Sequence, residues 1–371
     1  MLKRQLARPT ILYLMMAQHC NFECTYCPIP ELAKKYGPRL LTIRDAKAGI
    51  DLWAKQLRGW EDDGDEFFAI FYGGEPLLNK KTLRSAATYI RQLQQIGKLP
   101  RERIRLLLST NGSLLDAEMA RFCRDEEIAV VVGIDGIDGT NDLTRVDRLG
   151  QSTFARIKEA FVLLSDHGVP SFASVTVTPG NLDELGELSS FLRSVGVEKV
   201  GLNFLKGRAL VQMLGGESPE SFYRRSSRVM IQLFLSLSEP SFEYQIEKKR
   251  LAFCEGRFFP PDCTCYGNQV VIQADGRVTN CPFHRHDQGH VRALPADFRI
   301  AETQIVQNWQ KRILDLEGSN RSFHGQALSG GGCAWSSLEQ NGNCLAPDLA
   351  SQIFTEEVFD ELIWTSYTEG A

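Results

Sequence analysis

The chain has 371 residues, of which 43% are hydrophobic and 24% are charged, and its formal net charge is -4. The length favours one large domain with a smaller one, and the charge argues against a nucleic acid as the main partner. No apolar run reaches the roughly 18 residues of a membrane span, and the apolar N-terminal stretch lacks a cleavage site. We therefore expect a cytoplasmic protein with no membrane partner, whose ten cysteines are metal ligands or buried thiols.

Six short apolar runs occupy the first part of the chain, and each is followed by a helix-like segment. The runs are 11–17, 67–73, 104–110, 128–135, 171–178 and 199–206. Continuous apolar runs with helices between them are typical of parallel strands that are covered on both faces. Thr42 and either Ser152 or Thr153 are candidate N-caps. The pattern predicts an α/β fold, either an incomplete β/α barrel or a doubly wound sheet.

The pattern changes twice after the sixth run. Residues from about 218 to 250 have a helical and polar pattern, and the chain after 254 is rich in Cys, Gly and His. We therefore predict three parts: a β/α domain at 1–215, a helical connector at 216–252 and a smaller domain at 253–371.

Three cysteines, Cys20, Cys24 and Cys27, follow the first predicted strand with three and two residues between them. The end of a strand is where β/α proteins place their sites. A structural zinc site usually closes with a fourth Cys or His, whereas a four-iron cluster held by three thiolates leaves one iron open to a non-protein ligand. The spacing therefore favours an iron–sulfur cluster with an open position.

This loop, with Tyr26 before its last cysteine, resembles the signature of radical S-adenosylmethionine (radical SAM) enzymes. The resemblance implies that SAM chelates the open iron of a [4Fe–4S] cluster held by Cys20, Cys24 and Cys27. It also implies that reduction of the cluster cleaves SAM to a 5′-deoxyadenosyl radical, which abstracts hydrogen from an unactivated C–H bond. A reducing partner such as a flavodoxin or a ferredoxin is then expected.

The segment "YGGEP" after the second run resembles the part of the family that holds the amino group of SAM. Gly73 and Gly74 would let the backbone approach the ligand closely, and Glu75 would meet the ammonium group. A tight turn without a ligand is the alternative.

Two later segments resemble the rest of the cofactor pocket. "LSTNG" at the end of the third run resembles the family's segment near the ribose, which implies roles for Ser109 and Asn111; an Asn-Gly turn is the alternative. The segment 133–154 resembles one that follows the fourth strand in the family, and Asp135 and Arg145 match positions of the cofactor pocket. Arg145 could equally be a solvated loop charge.

Six further cysteines follow the helical connector: Cys254, Cys263, Cys265, Cys281, Cys333 and Cys344. "VVIQADGRV" predicts a β-hairpin around Asp-Gly, which would bring the flanking cysteines together. This arrangement resembles the opening of SPASM and twitch domains, which carry auxiliary iron–sulfur clusters; a zinc site is the alternative. The resemblance implies a partial (β/α)6 barrel of the TIM type followed by a smaller SPASM/twitch-like α+β domain.

The chain departs from a full SPASM domain, which would have a cysteine at the position of Ser329 and two more shortly before it. Cys344 alone matches the last cysteine of the pattern, and His324 is the sole other candidate ligand nearby. The resemblance therefore implies one auxiliary [4Fe–4S] cluster instead of two. The expected ligands are Cys265, Cys281 and Cys333, with Cys254 or Cys263 as the fourth.

Other conspicuous residues have simpler interpretations. Cys123 lies in a helical pattern and is expected to be a core thiol. The histidines at 284, 286 and 290 are expected to lie in a loop near the substrate channel instead of binding a metal. Trp335 is a candidate for lining that channel or for simple packing.

The resemblance also bears on the substrate, since SPASM and twitch members mostly modify peptide side chains or dehydrogenate small polyols. Sulfatase maturases carry an aspartate where Pro282 follows Cys281 here, and proline cannot accept a proton, so formylglycine formation is disfavoured. Ten residues precede the first strand, so we expect a separate protein or the barrel rim to recognise any leader peptide.

These features favour a peptide-modifying radical SAM maturase that makes a crosslink or another oxidative change. One alternative is a radical SAM dehydrogenase or epimerase of a small molecule. The other is an iron–sulfur or zinc protein without radical chemistry.

Overall fold

A computed structural model describes residues 8–57, 66–100, 102–254, 263–283, 286–310, 332–346 and 348–364. Six strands correspond to the six apolar runs: β1 Ile11–Ala17, β2 Phe67–Gly73, β3 Ile104–Thr110, β4 Ile128–Gly133, β5 Ser171–Val177 and β6 Lys199–Phe204. Two more strands form the predicted hairpin: β7 Gln269–Ile272 and β8 Val278–Thr279.

Ten α-helices lie between β1 and the hairpin in the described part of the chain. Seven lie between β1 and β6: α1 Ile29–Tyr36, α2 Ile43–Gln56, α3 Lys80–Gln95, α4 Ala117–Asp125, α5 Asp138–Asp142, α6 Phe154–Asp166 and α7 Leu185–Ser194. Three lie between β6 and β7: α8 Gly207–Met213, α9 Pro219–Ser236 and α10 Tyr244–Cys254. Two follow the hairpin: α11 Ala334–Asn341 and α12 Leu349–Glu357. Residues 304–310 are helical as well. No helix among the described residues is long and apolar enough to cross a membrane.

The strands form one sheet in the order β6-β5-β4-β3-β2-β1-β7-β8. All pairs from β6 through β7 are parallel, and only the β7–β8 pair is antiparallel. Six parallel strands in chain order, each followed by helix, confirm the predicted partial (β/α)6 barrel. The pairing of β7 with β1 was not predicted: the hairpin extends the barrel sheet. The boundaries at 215 and 252 stay predictions.

Side chains alternate along the strands between the helix layer and the barrel interior. In β2, Phe67, Ala69 and Phe71 are fully buried, whereas Tyr72 is half-buried. β5 follows the same period, with Thr176 among its half-buried residues. This alternation packs one apolar set beneath the helices and leaves the other set around an interior that opens at the strand ends.

Several local predictions can be compared with the structure. Thr42 is the N-cap of α2, and its hydroxyl accepts the Asp45 backbone N–H at 3.0 Å, as predicted. Thr153 occupies the N-cap position of α6, but its hydroxyl donates to the Arg145 carbonyl at 2.7 Å instead of capping the helix. Cys123 is a fully buried core thiol, as predicted.

Candidate active site

The loops that follow the parallel strands surround a cavity of about 200 Å³ at the C-terminal edge of the sheet. Most of the predicted cofactor and cluster residues line this cavity: Cys20, Cys24, Tyr26, Cys27, Gly73, Gly74, Ser109, Asn111 and Arg145. Because these residues come from the ends of two strands and from the loops that follow four strands, only the parallel order of the strands brings them together.

The cysteine loop is folded tightly above β1. The Phe22 side chain is buried in the core while its backbone N–H donates to the Cys20 sulfur at 3.3 Å, and the Cys27 N–H donates to the Cys24 carbonyl at 3.0 Å. Burial raises the pKa of the Cys20 thiol to about 12 and that of Cys24 to about 11. Such thiols become good ligands when a metal centre supplies positive charge, so three thiols on one cavity fit a cluster.

The Gly73–Gly74 turn lies directly against the start of the cysteine loop. The Gly74 N–H donates to the Ala17 carbonyl at 2.8 Å, and Gly73 has a φ of 136°. A Cβ at Gly73 would overlap the Ala17 carbonyl, and one at Gly74 would overlap the carbonyl of His19. Glycine is therefore required at both positions, and the backbone of the turn borders the cavity.

The carboxylate of Glu75 is buried behind this turn and does not line the cavity. It accepts the Leu77 N–H at 2.9 Å, the Thr110 hydroxyl at 2.7 Å and the Asn111 N–H at 2.8 Å. Burial raises the pKa of Glu75 to about 6, and these donors act in the opposite direction. Glu75 thus joins the turn after β2 to the loop after β3, and its predicted contact with the amino group of SAM stays a prediction.

The loop after β3 also contacts the cysteine loop. The Asn111 amide donates to the Asn21 side-chain oxygen at 3.0 Å and lies 3.5 Å from the Cys20 sulfur. The Ser113 N–H donates to the Asn111 side-chain oxygen at 3.0 Å, as in an Asx turn. Asn111 therefore forms a turn, as the alternative interpretation predicted, and it also lines the cavity.

Asp135 organises the opposite wall of the cavity from just beyond the end of β4. Its fully buried carboxylate accepts the Tyr26 hydroxyl at 2.7 Å, the Thr144 hydroxyl at 2.8 Å and the Thr176 N–H at 2.9 Å. Arg145 Nε lies 2.9 Å from the same carboxylate, and the Arg145 side chain is 11% exposed. Arg145 is therefore not a solvated loop charge. Its guanidinium is fixed by Asp135 and lies beside the cysteine loop.

Four of the C-terminal cysteines lie together beside the hairpin, and we call Cys263, Cys265, Cys281 and Cys333 the second cysteine group. The Cys263 and Cys265 sulfurs are 2.9 Å apart. The interaction between the Cys263 and Cys333 thiols raises the pKa of Cys333 well above its usual value, and burial adds to this. Cys265 and Cys281 are buried in a cluster with Tyr266, Trp309 and Ala334, with Cys344 at its edge.

Cys254 does not join this group. It is exposed at the end of α10, where its sulfur lies 3.9 Å from Arg250 Nη1. Within the described residues, no three His, Cys, Asp or Glu side chains are arranged as ligands of a single metal ion.

Aromatic rings connect the cavity with the second cysteine group. The Tyr72 ring lies 6.2 Å from Phe283, which lines the cavity, and Phe283 lies 5.7 Å from Trp335. Burial raises the pKa of Tyr72 to about 12, and negative charge on Cys27 and on Cys281 contributes. Tyr72 therefore interacts electrostatically with a thiol of each group.

The predicted loop histidines divide into separate environments. The His286 ring packs edge-on against Trp309 at 6.1 Å, and His290 Nε2 lies 3.6 Å from the Asp45 carboxylate. The predictions on His284, His324 and Ser329 lie outside the described residues.

The profile of the radical SAM superfamily matches residues 14–192. These residues form a radical SAM domain. The chain is also 25% identical over 284 residues to the cysteine-type anaerobic sulfatase-maturating enzyme of Clostridium perfringens, which covers 72% of this chain and 73% of that enzyme. This relationship confirms the resemblance to radical SAM maturases.

Solved structures show the same fold beyond the radical SAM domain. Native anSMEcpe with bound AdoMet and Cp18Cys peptide superposes with a TM-score of 0.76, 17% identity, and coverage of 96% of this chain and 98% of that one. Streptococcus suis SuiB bound to its precursor peptide SuiA gives a TM-score of 0.55 at 14% identity, covering 93% of this chain and 76% of SuiB.

Some residues that line the cavity were not among the predicted site residues. Tyr72, Thr110 and Thr176 line it, and so does Phe283 from beyond the domain. Tyr72 and Thr110 lie within quoted motifs, and the period of two along β5 is the signal for Thr176. Phe283 had no signal, because it reaches the cavity only through the pairing of β7 with β1.

Proposed function

We propose that this radical SAM enzyme modifies a peptide by abstracting hydrogen from it, which leaves a crosslink or another oxidative change. The observation that carries the radical chemistry is the position of three loop thiols on one cavity with the Gly73–Gly74 turn. Cys20, Cys24 and Cys27 would hold the cluster and leave one position open for SAM. When bound, the cluster and SAM would supply the 5′-deoxyadenosyl radical.

The chain's own residues would hold and orient these cofactors. The glycine turn offers close backbone approach to the amino acid part of SAM, and Asn111 fixes the cysteine loop beside it. The Arg145–Asp135 pair offers a positioned cation with neutral hydroxyls around it. A dry, hydrogen-bonded wall of this kind favours binding of a zwitterionic ligand in one orientation.

The peptide substrate is supported by the barrel interior and by the relatives. Near β5 and β6 the interior has neutral hydrogen-bonding groups: Asn203 donates to the Gly201 carbonyl at 3.0 Å and accepts from the Gln245 amide at 3.0 Å. Neutral amides suit a peptide backbone. Both anSMEcpe and SuiB are named with bound peptides.

A sulfatase is not the substrate that this proposal favours. Pro282 follows Cys281, where sulfatase maturases have an aspartate, and the Pro282 carbonyl accepts from the Gln273 amide at 3.3 Å. The aspartate's proton-accepting role has no counterpart at this position.

We also propose one auxiliary [4Fe–4S] cluster held by the second cysteine group. Cys263, Cys265 and Cys281 belong to one apolar cluster, and Cys333 directly precedes Ala334 of the same cluster, so these four thiols fit a fully ligated site. Cys263 rather than Cys254 is then the fourth ligand. A fully ligated cluster serves structure or electron transfer. A flavodoxin or ferredoxin as reductant, a separate leader-binding protein and a cytoplasmic location remain parts of the proposal.

The test is anaerobic reconstitution with iron and sulfide, followed by reduction in the presence of SAM and a deuterated candidate peptide. We expect 5′-deoxyadenosine that carries deuterium from the peptide. The C20A/C24A/C27A variant is the negative control, and C123A, which changes a core thiol, is the matched control that should retain turnover.

Other results would identify the alternatives. Absence of 5′-deoxyadenosine from the fully reconstituted protein would leave an iron–sulfur or zinc protein. Deuterium transferred from a small polyol but from no peptide would favour the dehydrogenase or epimerase.

A further inference from the structure

Asp348 is a buried carboxylate that hydrogen-bonds to the start of α11 and to a side chain of α12. It occupies the N-cap position of α12 but makes no capping bond to the backbone of that helix. Its oxygens instead accept the Cys333 N–H at 3.1 Å, the Ser336 hydroxyl at 2.9 Å and the Ser351 hydroxyl at 2.7 Å. The carboxylate is fully buried, so these bonds are made without competing water.

Lys206, just beyond β6, supplies the charge that such a carboxylate needs. Its Nζ lies 2.6 Å from Asp348 Oδ2, and its side chain is 22% exposed. Burial alone would lower the pKa of Lys206, but the Asp348 carboxylate outweighs burial and raises it, so the pair is charged. The same oxygen, Asp348 Oδ2, accepts the Cys333 N–H, so the ammonium and the Cys333 backbone share one acceptor.

The residue before Cys333 is held from the other side. The Tyr266 hydroxyl, next to Cys265 in sequence, donates to the Gly332 carbonyl at 2.9 Å. Gly332 has a φ of 68°, and a Cβ there would lie 2.7 Å from the Asp348 Cβ. The peptide leading to Cys333 is therefore fixed between the hairpin and Asp348.

We infer that Asp348 and Lys206 are positioning residues for the auxiliary site, which hold Cys333 against the hairpin cysteines and tie it to the end of β6. This inference rests on the proposed function, because it takes Cys333 as a cluster ligand. Cys333 is far in sequence from the hairpin, so its position depends on such tertiary bonds. The pair thereby also sets the auxiliary site relative to the barrel.

A neighbouring ion pair provides a matched control. Arg208 Nε lies 3.6 Å from Glu339 Oε2 and joins α8 to α11, with side chains 81% and 29% exposed. No contact of this pair with a cysteine occurs among the described residues, and an ion pair with one strongly exposed partner contributes little to stability. Glu339→Gln therefore removes an interhelix charge without changing the surroundings of Cys333.

The experiment uses the C20A/C24A/C27A chain, in which the auxiliary site is the remaining cluster site. After reconstitution we expect about four irons per chain. Asp348→Asn and Lys206→Met should raise the rate of iron release to a chelator roughly tenfold, as expected for a lost charge-assisted bond, and should change the EPR spectrum of the reduced cluster. Lys206→Arg and Glu339→Gln should leave both unchanged.

The possible results distinguish a failure of this inference from a failure of the proposed auxiliary cluster. A parent chain that binds no iron would overturn the auxiliary cluster and the inference with it. About four irons, with release rates and spectra unchanged in both Asp348→Asn and Lys206→Met, would overturn the inference alone. If Asp348→Asn fails to fold, the Lys206→Met and Lys206→Arg pair decides, because both keep the length of the side chain and only Arg keeps its charge.

Discussion

Cys20, Cys24 and Cys27 belong to one loop after β1, whereas the second cysteine group is drawn from a hairpin and from the start of α11. The first group needs only a strand end and a short loop, so its spacing is visible in the sequence. The second is assembled by bonds such as Tyr266 to Gly332, between residues far apart in the chain. The position of the first group therefore follows from local sequence, whereas that of the second depends on the tertiary fold.

The surroundings of the two groups differ as well. The first borders an open cavity with a glycine turn and the Arg145 guanidinium. In the second, Cys263, Cys265 and Cys281 belong to an apolar cluster with Tyr266 and Trp309. This difference supports the proposal that the first cluster has an open iron for SAM, whereas the second is fully ligated by thiolates.

The largest effect is expected when the first group is removed. The unaltered chain should bind about eight irons, and C20A/C24A/C27A should bind about four and form no 5′-deoxyadenosine, because all thiolates of one cluster are lost. Iron analysis and product chromatography measure both quantities. A wild-type content near twelve irons with three distinct clusters would show that the interpretation of Ser329 is wrong.

The reciprocal change should remove iron but not the cofactor site. C281S/C333S, with the barrel cysteines intact, should lose about four irons because two of four ligands are gone. Uncoupled cleavage of SAM should persist, since the cavity keeps its three cysteines. Loss of all iron in this variant would contradict the separation of the two groups, provided that circular dichroism shows the variant to be folded.

The barrel was predictable because its strands are apolar runs with clear ends, and the cysteine loop because its spacing is local. The exact ends of the strands were harder to predict. For example, β5 ends at Val177 because the Thr178 N–H donates to the Asn181 side chain at 2.8 Å. The pairing of β7 with β1 had no sequence signal, since the pattern of an apolar run does not show which distant strand lies beside it. Burial of the Glu75 carboxylate was equally invisible, because its donors include backbone groups of a different loop.

The glycine turn should be sensitive to a single methyl group. Gly74→Ala would press a Cβ into the His19 carbonyl, displace the cysteine loop and weaken SAM binding by more than about tenfold. Gly186→Ala in α7, where an added Cβ meets no atom within 4 Å, is the matched control and should stabilise the helix by up to about 1 kcal/mol. Equal SAM affinity in both variants would remove the turn from the cofactor site.

Two substitutions at Glu75 test whether its carboxylate contacts SAM directly or positions the neighbouring loops. Glu75→Ala should weaken SAM binding roughly tenfold to a hundredfold, because the donors at Leu77, Thr110 and Asn111 lose their acceptor. Glu75→Gln keeps one acceptor oxygen, so we expect its affinity to lie nearer that of the unaltered chain. Anaerobic equilibrium dialysis with labelled SAM measures this. Equal losses in the two variants would instead support a direct carboxylate–ammonium contact.

The smallest effect is expected at Cys254, and it decides which cysteine completes the second group. Cys254 is exposed beside Arg250, whereas the Cys263 sulfur lies 2.9 Å from that of Cys265. In the C20A/C24A/C27A chain, Cys254→Ser should therefore keep about four irons and an unchanged EPR spectrum, while Cys263→Ser should lose iron faster or bind none. Both substitutions replace one sulfur by oxygen, so each controls for the chemistry of the other. The reverse result would mean that the end of α10 moves onto the hairpin when the cluster assembles, and that the position of Cys263 beside Cys265 belongs to the iron-free protein.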